Sequence, residues 1–280
     1  MAIESTENQF DIKKWSITHC NVTFPAGLIA LDLKKKKNIP YVLTEHWTLF
    51  LPYKNDFKKL SAIKKKTFKE IVLNANEVVP VSHHLRNSMK GRGLKGKYRV
   101  IPNVVDTRMF TLGSKPNNEV KRILHVSTLV ANHKNIHGIF STLKKMSRTR
   151  NDFKFVIVSD GDIDMAKQIQ KNKGLEDEFV EYHSTKTPQE ISKFYQTSDF
   201  FLLFSNYENL PVVISESLCC GLPVVTSSVG GIPEMINAEN GLIVNPGDKE
   251  ELEKAINSMM DNLDNYSRIS IREEAMKRYD

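Results

Sequence analysis

Glu208 and Glu216 stand eight positions apart in the stretch Ser205 to Glu234, which reads SNYENLPVVISESLCCGLPVVTSSVGGIPE. Pro211 lies between them and opens a predicted helix, because its missing N–H would be unpaired at the first helical position anyway. Gly221-Leu222-Pro223 ends that helix, since glycine is favoured just past a helix end. The strand Val224-Val225-Thr226 follows, then a tight turn over Gly230-Gly231-Ile232-Pro233-Glu234. Glu208 therefore falls in the loop before the helix, and Glu216 about one turn inside it. The free N–H groups of a helix N-terminus attract anions. Amides for phosphates and carboxylates for hydroxyls suit a sugar joined to a diphosphate. A glutamate pair alone says little in a chain with 33 acidic residues. Two solvated carboxylates are the plain alternative, and only the surrounding pattern sets them apart.

The elements that must position these residues alternate along the second half. Strands are predicted at Arg122 to Ser127, Phe153 to Ser159, Glu178 to Tyr182, Phe200 to Phe204, Leu222 to Thr226 and Gly241 to Val244. Helical patterns lie between them, one from Ile136 to about Met146 and one opened by Thr187-Pro188-Gln189-Glu190. Continuous apolar strands between amphipathic helices mean a parallel sheet covered on both faces. Phe200 to Phe204 (FFLLF) is apolar throughout and belongs at the centre. Ligands bind such sheets at the carboxyl ends of the strands, where the Glu208 loop lies. The first half has the same grammar with fewer strands: Ser16 to His19, Tyr41 to Thr44, Val78 to Val81 and Tyr98 to Ile101, with a long helix over roughly Asp56 to Asn74. Pro102 to Asp106 and the polar stretch Ser114 to Glu119 read as the crossing between two domains, 1–115 and 116–280.

With 280 residues, 40% of them hydrophobic and 26% charged, the chain is globular and long enough for two domains. Cys20, Cys219 and Cys220 have no zinc spacing and make no disulfide framework, which suits a reducing cytoplasm. The first residues, MAIESTENQFDIKK, lack the basic-then-apolar pattern of a signal peptide. No apolar run approaches the roughly 20 residues of a membrane span. A cytoplasmic protein, soluble or peripheral on the inner face of the cell membrane, is expected. Charge is uneven: residues 1–115 carry 21 Lys and Arg against 9 Asp and Glu, and residues 116–280 carry 19 against 24. The runs Lys34 to Lys37 and Lys64 to Lys66 are either solvated helix faces or a face for anionic lipid, where each lysine gains on the order of 1 kcal/mol. Nucleic acid is not expected as a partner, because no recognised binding motif accompanies the charge.

The pattern of glutamate, seven residues, glutamate, then Gly-Leu-Pro-Val-Val and Gly-Gly-Ile-Pro-Glu resembles the donor-site signature of retaining family 4 glycosyltransferases (glycosyl transferases group 1) of the GT-B fold. The resemblance implies an α/β chain of two Rossmann-like domains whose parallel sheets face a cleft. It also implies a longer first domain, with an initial strand and a Gly-rich loop before the segment His19 to Pro25. The first domain here is accordingly expected to be incomplete, and the end at Tyr279-Asp280 to fall inside a helix that crosses back in the family.

By the same resemblance, Glu216 is expected to bind the ribose hydroxyls of a nucleotide, and Glu208 the sugar hydroxyls. The backbone N–H groups of Asn209 and Leu210 lie beside Glu208. Lys134 and the helix starting at Pro211 are expected to neutralise the leaving diphosphate. His46, in Thr44-Glu45-His46, matches a family histidine that meets the donor sugar near the reacting carbon. An imidazole paired within its own loop is the alternative. Lys134-Asn135 matches the family well, but the family arginine before it is replaced by Thr128, with a one-residue insertion. Losing a guanidinium clamp is not a neutral change. Either donor affinity falls or another cation substitutes. Pro102-Asn103-Val104-Val105-Asp106 resembles the family hinge Pro-Asn-Gly-Val-Asp, with Asn103 at a hinge or ligand position. No metal is expected, since no His/Asp/Glu cluster has ligand spacing and the family uses cations and helix dipoles. Gly91-Arg92-Gly93-Leu94-Lys95-Gly96 spells G-x-G-x-x-G, but it follows a helix and leads into a strand, the reverse of a dinucleotide fingerprint.

The expected function is transfer of a hexosyl group from a nucleotide-diphosphate sugar to a saccharide or lipid-linked acceptor with retention, in surface polysaccharide or glycolipid synthesis. No separate cofactor is called for, the nucleotide sugar being a co-substrate. The alternative is a catalytically silent, truncated nucleotide-sugar-binding protein or split-gene fragment. A nucleotide-sugar epimerase is a third reading, although acidic and histidine residues are not patterned for it.

Overall fold

Six parallel strands form the larger of two sheets in the computed structural model, which describes residues 15–52, 56–113, 119–184 and 186–280. The chain divides into two units between Pro102 and Asn103. In the first unit, β1 (Thr18–Asn21), β2 (Tyr41–Glu45) and β3 (Glu77–Pro80) are parallel neighbours in that order. Around them lie α1 (Ala26–Lys37), α2 (Asp56–Lys59), α3 (Ala62–Asn74) and α4 (His83–Gly91).

Two expectations for this unit are corrected. The long helix over Asp56 to Asn74 is broken into α2 and α3, because Ser61 takes an extended backbone and caps α3 by accepting from the Lys64 N–H at 3.3 Å. Tyr98 to Ile101 is not a strand, although Tyr98 makes a single parallel bridge with Val78. Val78 N–H donates to the Lys97 carbonyl, and the Arg99 and Ile101 N–H groups donate to the carbonyls of Val78 and Pro80. The next rung would need an N–H from residue 80. Proline has none, so the ladder stops there.

The second unit holds β4 (Lys121–Val126), α5 (Ala131–Lys134), α6 (Ile136–Met146), β5 (Phe153–Val158), α7 (Ile163–Lys173), β6 (Val180–His183) and α8 (Pro188–Thr197). It continues with β7 (Phe200–Leu203), α9 (Val212–Cys219), β8 (Val224–Ser227), β9 (Gly241–Val244), α10 (Lys249–Asp261) and α11 (Arg268–Tyr279). The predicted strands are present with ends shifted by a residue or two, and β7 lies between β4 and β8 as its apolar run requires. Ile123, Phe155, Phe200 and Leu202 are wholly buried in a cluster with Ile136, Phe140 and Ile256. Leu124, Val156, Phe201 and Val224 are equally buried, so apolar side chains of both alternating sets are out of water. Each such side chain stabilises the fold by about 1.5–3 kcal/mol.

The expected domain boundary at 115 lies beyond the division found at Pro102/Asn103. Residues after 102 bond to the C-terminal helix: Val105 N–H donates to the Tyr279 carbonyl at 2.7 Å, and Thr107 Oγ1 to Asp280 Oδ1 at 2.6 Å. Arg272 donates to the carbonyls of Phe110 (2.6 Å), Thr107 (3.0 Å) and Cys219. Of the expected crossing Ser114 to Glu119, residues 114–118 lie outside the described residues, as does the amino-terminal stretch 1–14. Among the described residues no helix is long and apolar enough to cross a membrane.

Candidate functional site

Strand order reverses between β4 and β7: β5 and β6 lie to one side, β8 and β9 to the other. At such a switch point the loops leaving two adjacent strands turn opposite ways and leave a crevice. The segment after β4 carries Thr128 in its loop and Lys134 at the end of α5, and the loop after β7 carries Glu208 to Pro211. The topology therefore brings together the residues singled out by the motif in this unit.

Glu208 is buried, and its Oε1 accepts from Lys134 Nζ at 2.5 Å and from Ser205 Oγ at 2.8 Å. His133 Nε2 lies 3.4 Å from the same oxygen, and the His133 ring stacks on Tyr207 at 4.2 Å between centroids. Burial pushes the Glu208 carboxyl up, but His133 and Lys134 outweigh this and hold it below its ordinary range. The loops are tied by backbone as well. Asn206 N–H donates to the His133 carbonyl at 2.8 Å, and Asn206 Nδ2 to the Asn132 carbonyl at 2.6 Å.

The Gly-Gly turn closes on the same loop. Gly231 N–H donates to the Asn209 carbonyl at 2.7 Å, and Gly230 has φ +59°. A Cβ on Gly230 would lie 2.0 Å from the Glu208 carbonyl oxygen, so only glycine fits there. Asn209 and Leu210 are buried, and Asn103 Nδ2 donates to the Leu210 carbonyl at 3.1 Å. That bond gives Asn103 a place at the edge of the Glu208 loop.

Pro211 caps α9 with extended backbone (φ −71°, ψ 121°), and the helix begins at Val212, one residue later than expected. Glu216 is half-buried on that helix, and its Oε2 lies 3.0 Å from the Tyr195 hydroxyl. Burial raises its carboxyl pKa, and the Tyr195 bond offsets part of the rise.

Thr128 is exposed in the loop after β4. A chain of bonds shapes that loop. His125 is wholly buried, with Nδ1 2.9 Å from the Leu202 carbonyl and Nε2 2.8 Å from Ser127 Oγ. A carbonyl only accepts, so Nδ1 carries the proton and Nε2 accepts from Ser127. Ser127 Oγ in turn accepts from the Leu129 N–H at 3.1 Å. Gly161 packs so closely that a Cβ on it would lie 1.9 Å from the Thr128 carbonyl oxygen. Beside this loop a cavity of about 230 Å³ is lined by Ser127, Thr128, Ser159, Asp160, Lys186 and Val213.

In the first unit His46 is exposed directly after β2. Its neighbour Glu45 is wholly buried, with Oε2 accepting from Thr23 N–H (2.9 Å) and Oγ1 (2.6 Å) and Oε1 from Trp47 N–H (2.8 Å). Burial raises the Glu45 carboxyl, against the three bonds that lower it. Glu45, His133, Ser205 and Tyr195 were not among the expected site residues. A strand-end position was the available signal for Glu45 and Ser205. The roles of His133 and Tyr195 depend on tertiary partners.

Gly91 to Gly96 ends α4, with Gly93 at φ +75°, and opens no helix. Cys219 and Cys220 are buried, their thiols pushed up by burial to about 11 and about 12.

Two units of parallel sheet and helix, the larger with its switch point at a Lys–Glu pair, define a GT-B-like α/β protein. Residues 120–262 match the family model described as glycosyl transferases group 1, and residues 5–109 match one described as glycosyltransferase family 4. The chain belongs to the glycosyl transferases group 1. It is 26% identical over 249 residues to an uncharacterized glycosyltransferase of Methanocaldococcus jannaschii, covering 88% of this chain and 66% of that one. It is 26% identical over 263 residues to the putative teichuronic acid biosynthesis glycosyltransferase TuaC of Bacillus subtilis, covering 91% and 64%. The chain thus spans about two thirds of the length of these curated relatives. Among solved structures it is similar to sucrose-phosphate synthase from Thermosynechococcus elongatus (TM-score 0.85, 19% identity, 100% of this chain and 72% of that one). It is also similar to Anabaena HepE in complex with UDP (TM-score 0.84, 18% identity, 100% and 78%). These likenesses establish the fold.

Proposed function

We propose that this chain binds a nucleotide-diphosphate sugar at the β4/β7 switch point and transfers its hexosyl group, with retention, to a saccharide or lipid-linked acceptor. The observation that carries this is the buried Lys134–Glu208 pair between the two loops of the crevice. A cation and a carboxylate held side by side offer one group to a diphosphate and one to sugar hydroxyls. The Asn209 and Leu210 N–H groups and the amino end of α9 add donors for negative charge. Glu216 takes the ribose hydroxyls, and the cavity beside Thr128 takes the remainder of the nucleotide. We assign His46 to the donor sugar, a role supported by its match to the family motif. Catalysis then consists chiefly of stabilising the charge of the leaving diphosphate. That task is assigned to Lys134 and the α9 terminus, with no metal required. In front-face attack the donor phosphate takes the acceptor's proton, so no protein base is assigned.

The structures of HepE hold UDP, which supports a nucleotide-diphosphate donor, and TuaC's name supports an acceptor in surface polysaccharide synthesis. The lysines of α1 and α3 support a place on the anionic inner face of the cell membrane, tested by flotation with vesicles containing anionic lipid. Calorimetric titration with UDP, GDP and ADP tests donor binding. Micromolar binding of one of them, lost in Glu216→Ala, is expected. Failure of all three to bind overturns the assignment. A second reading, binding without transfer, is favoured by Thr128 in place of the family arginine, and product analysis with the matching nucleotide sugar separates the two.

A further inference from the structure

Tyr195 belongs to α8, whose amino end is fixed by a full capping box between Thr187 and Glu190. Its ring is wholly buried against Phe110 and Phe201, with centroids at 6.1 and 5.7 Å. Its hydroxyl lies 3.0 Å from Glu216 Oε2 and 3.1 Å from the Val213 carbonyl oxygen. A phenol has one proton to donate, and both neighbours accept when Glu216 is ionised. Two arrangements satisfy the geometry. With Glu216 ionised, Tyr195 donates to the carboxylate. With Glu216 protonated, the acid donates to the phenol oxygen and the phenol donates to Val213. They differ by one proton on Glu216. Only the first leaves a carboxylate able to accept from two adjacent ligand hydroxyls.

We infer that Tyr195 is a positioning residue for Glu216: its hydroxyl keeps the carboxylate ionised and turned toward a ribose diol, and so fixes the pH below which nucleotide diphosphate is released. This rests on the proposed role of Glu216. Burial favours the neutral acid at Glu216 and the Tyr195 bond opposes it, so the bond decides how far toward neutrality the acid survives. Tyr195 itself stays protonated, since burial and the Glu216 charge drive its phenol far above the usual range. Arg268 and Arg272 of α11 are cations beside α9, but burial and the Tyr195 bond are the causes that shift Glu216. Cys219 and Cys220 of α9 are held neutral by burial, and Arg272 of α11 is committed to the carbonyls of Phe110, Cys219 and Thr107. β8 contributes no titratable side chain.

The test is the affinity of the unmutated chain for UDP, measured by calorimetry from pH 5 to pH 8, beside Tyr195→Phe and Glu216→Gln. The β-phosphate of UDP titrates too, so the part of the profile owed to Glu216 is the part that Glu216→Gln lacks. In Tyr195→Phe the acid-side fall-off is expected to move up by about one pH unit, making binding about five-fold weaker at the wild-type midpoint. Replacing the tyrosines with 3-fluorotyrosine, whose hydroxyl donates more strongly, is expected to move it down without altering the packing. A Tyr195→Phe profile that superimposes on wild type, or a fluorotyrosine profile that does not move, overturns the inference. If Glu216→Gln instead binds UDP as tightly as wild type at every pH, the proposed role of Glu216 fails, and the inference with it.

Discussion

Lys134 Nζ and Glu208 Oε1 meet at 2.5 Å in a buried ion pair between residues 74 positions apart. Removing one partner of such a pair strands the other charge, at a cost of about 3–5 kcal/mol. Lys134→Met is therefore expected to lower stability by that amount in urea unfolding at pH 7, whereas Lys134→Met with Glu208→Gln recovers most of it. Neither recovers nucleotide binding. Because the folded Glu208 carboxyl titrates below its ordinary 4.5, the pair's contribution is present above that pH and lost as pH falls through the lower folded value. The gap between wild type and Lys134→Met should close in acid. A gap that stays constant with pH would count against the pair as its source.

His125 is held neutral by burial, its pKa lowered from 6.5 to about 4. Between those values the unfolded chain takes up a proton that the folded chain refuses, so stability falls as pH drops from 6.5 to 4 and no further from this source. The loss reaches up to about 3 kcal/mol. Substitution His125→Asn should flatten urea midpoints across that window, whatever it does to stability at pH 8. A slope identical to wild type would remove His125 as its cause.

Backbone fit at two glycines is expected to be unforgiving. Gly230→Ala and Gly161→Ala place a methyl group 2.0 Å and 1.9 Å from the carbonyl oxygens of Glu208 and Thr128. Each should destabilise by about 2–4 kcal/mol, Gly230→Ala the more, since its φ is also positive. Gly91→Ala is the control: a Cβ there meets nothing within 4 Å, and alanine should add about 0.5–1 kcal/mol. Thermal unfolding of the three variants checks the order.

Glu45 ties the loop after β1 to the loop bearing His46 and Trp47. In Glu45→Ala the Thr23 and Trp47 N–H groups lose their acceptor, at a cost of about 2–4 kcal/mol. Hydrogen exchange should quicken at these two amides first. Exchange that quickens evenly across the first unit would indicate a general loss of packing instead.

Local chemistry accounts for what was legible. The strands of the second unit were readable because a strand buried on both faces is a short apolar run bounded by turn residues, as at Phe200 to Phe204. Asp56 to Asn74 read as one helix because its pattern stays amphipathic across Ser61, where a single side chain-to-backbone bond makes the break. Tyr98 to Ile101 has strand composition, and only the partner Pro80 denies it a ladder. Glu208, Glu216 and Lys134 carried a motif. His133, Tyr195 and His125 carried none, since each acts through a residue supplied by another segment.

The sequence by itself determined that this chain alternates strand and helix, that a helix follows the Glu208 loop, and which family the glutamate motif belongs to. These follow from the periodicity of side chains and from proline and glycine at element ends, which act over a few residues. Only the tertiary structure decided that β4 pairs with β7, and hence that Lys134 reaches Glu208, that Tyr195 reaches Glu216, and that the Gly230 turn closes on the Glu208 loop. Strand pairing is set by burial and hydrogen bonding between segments tens of residues apart, and no local pattern encodes which strand lies beside which.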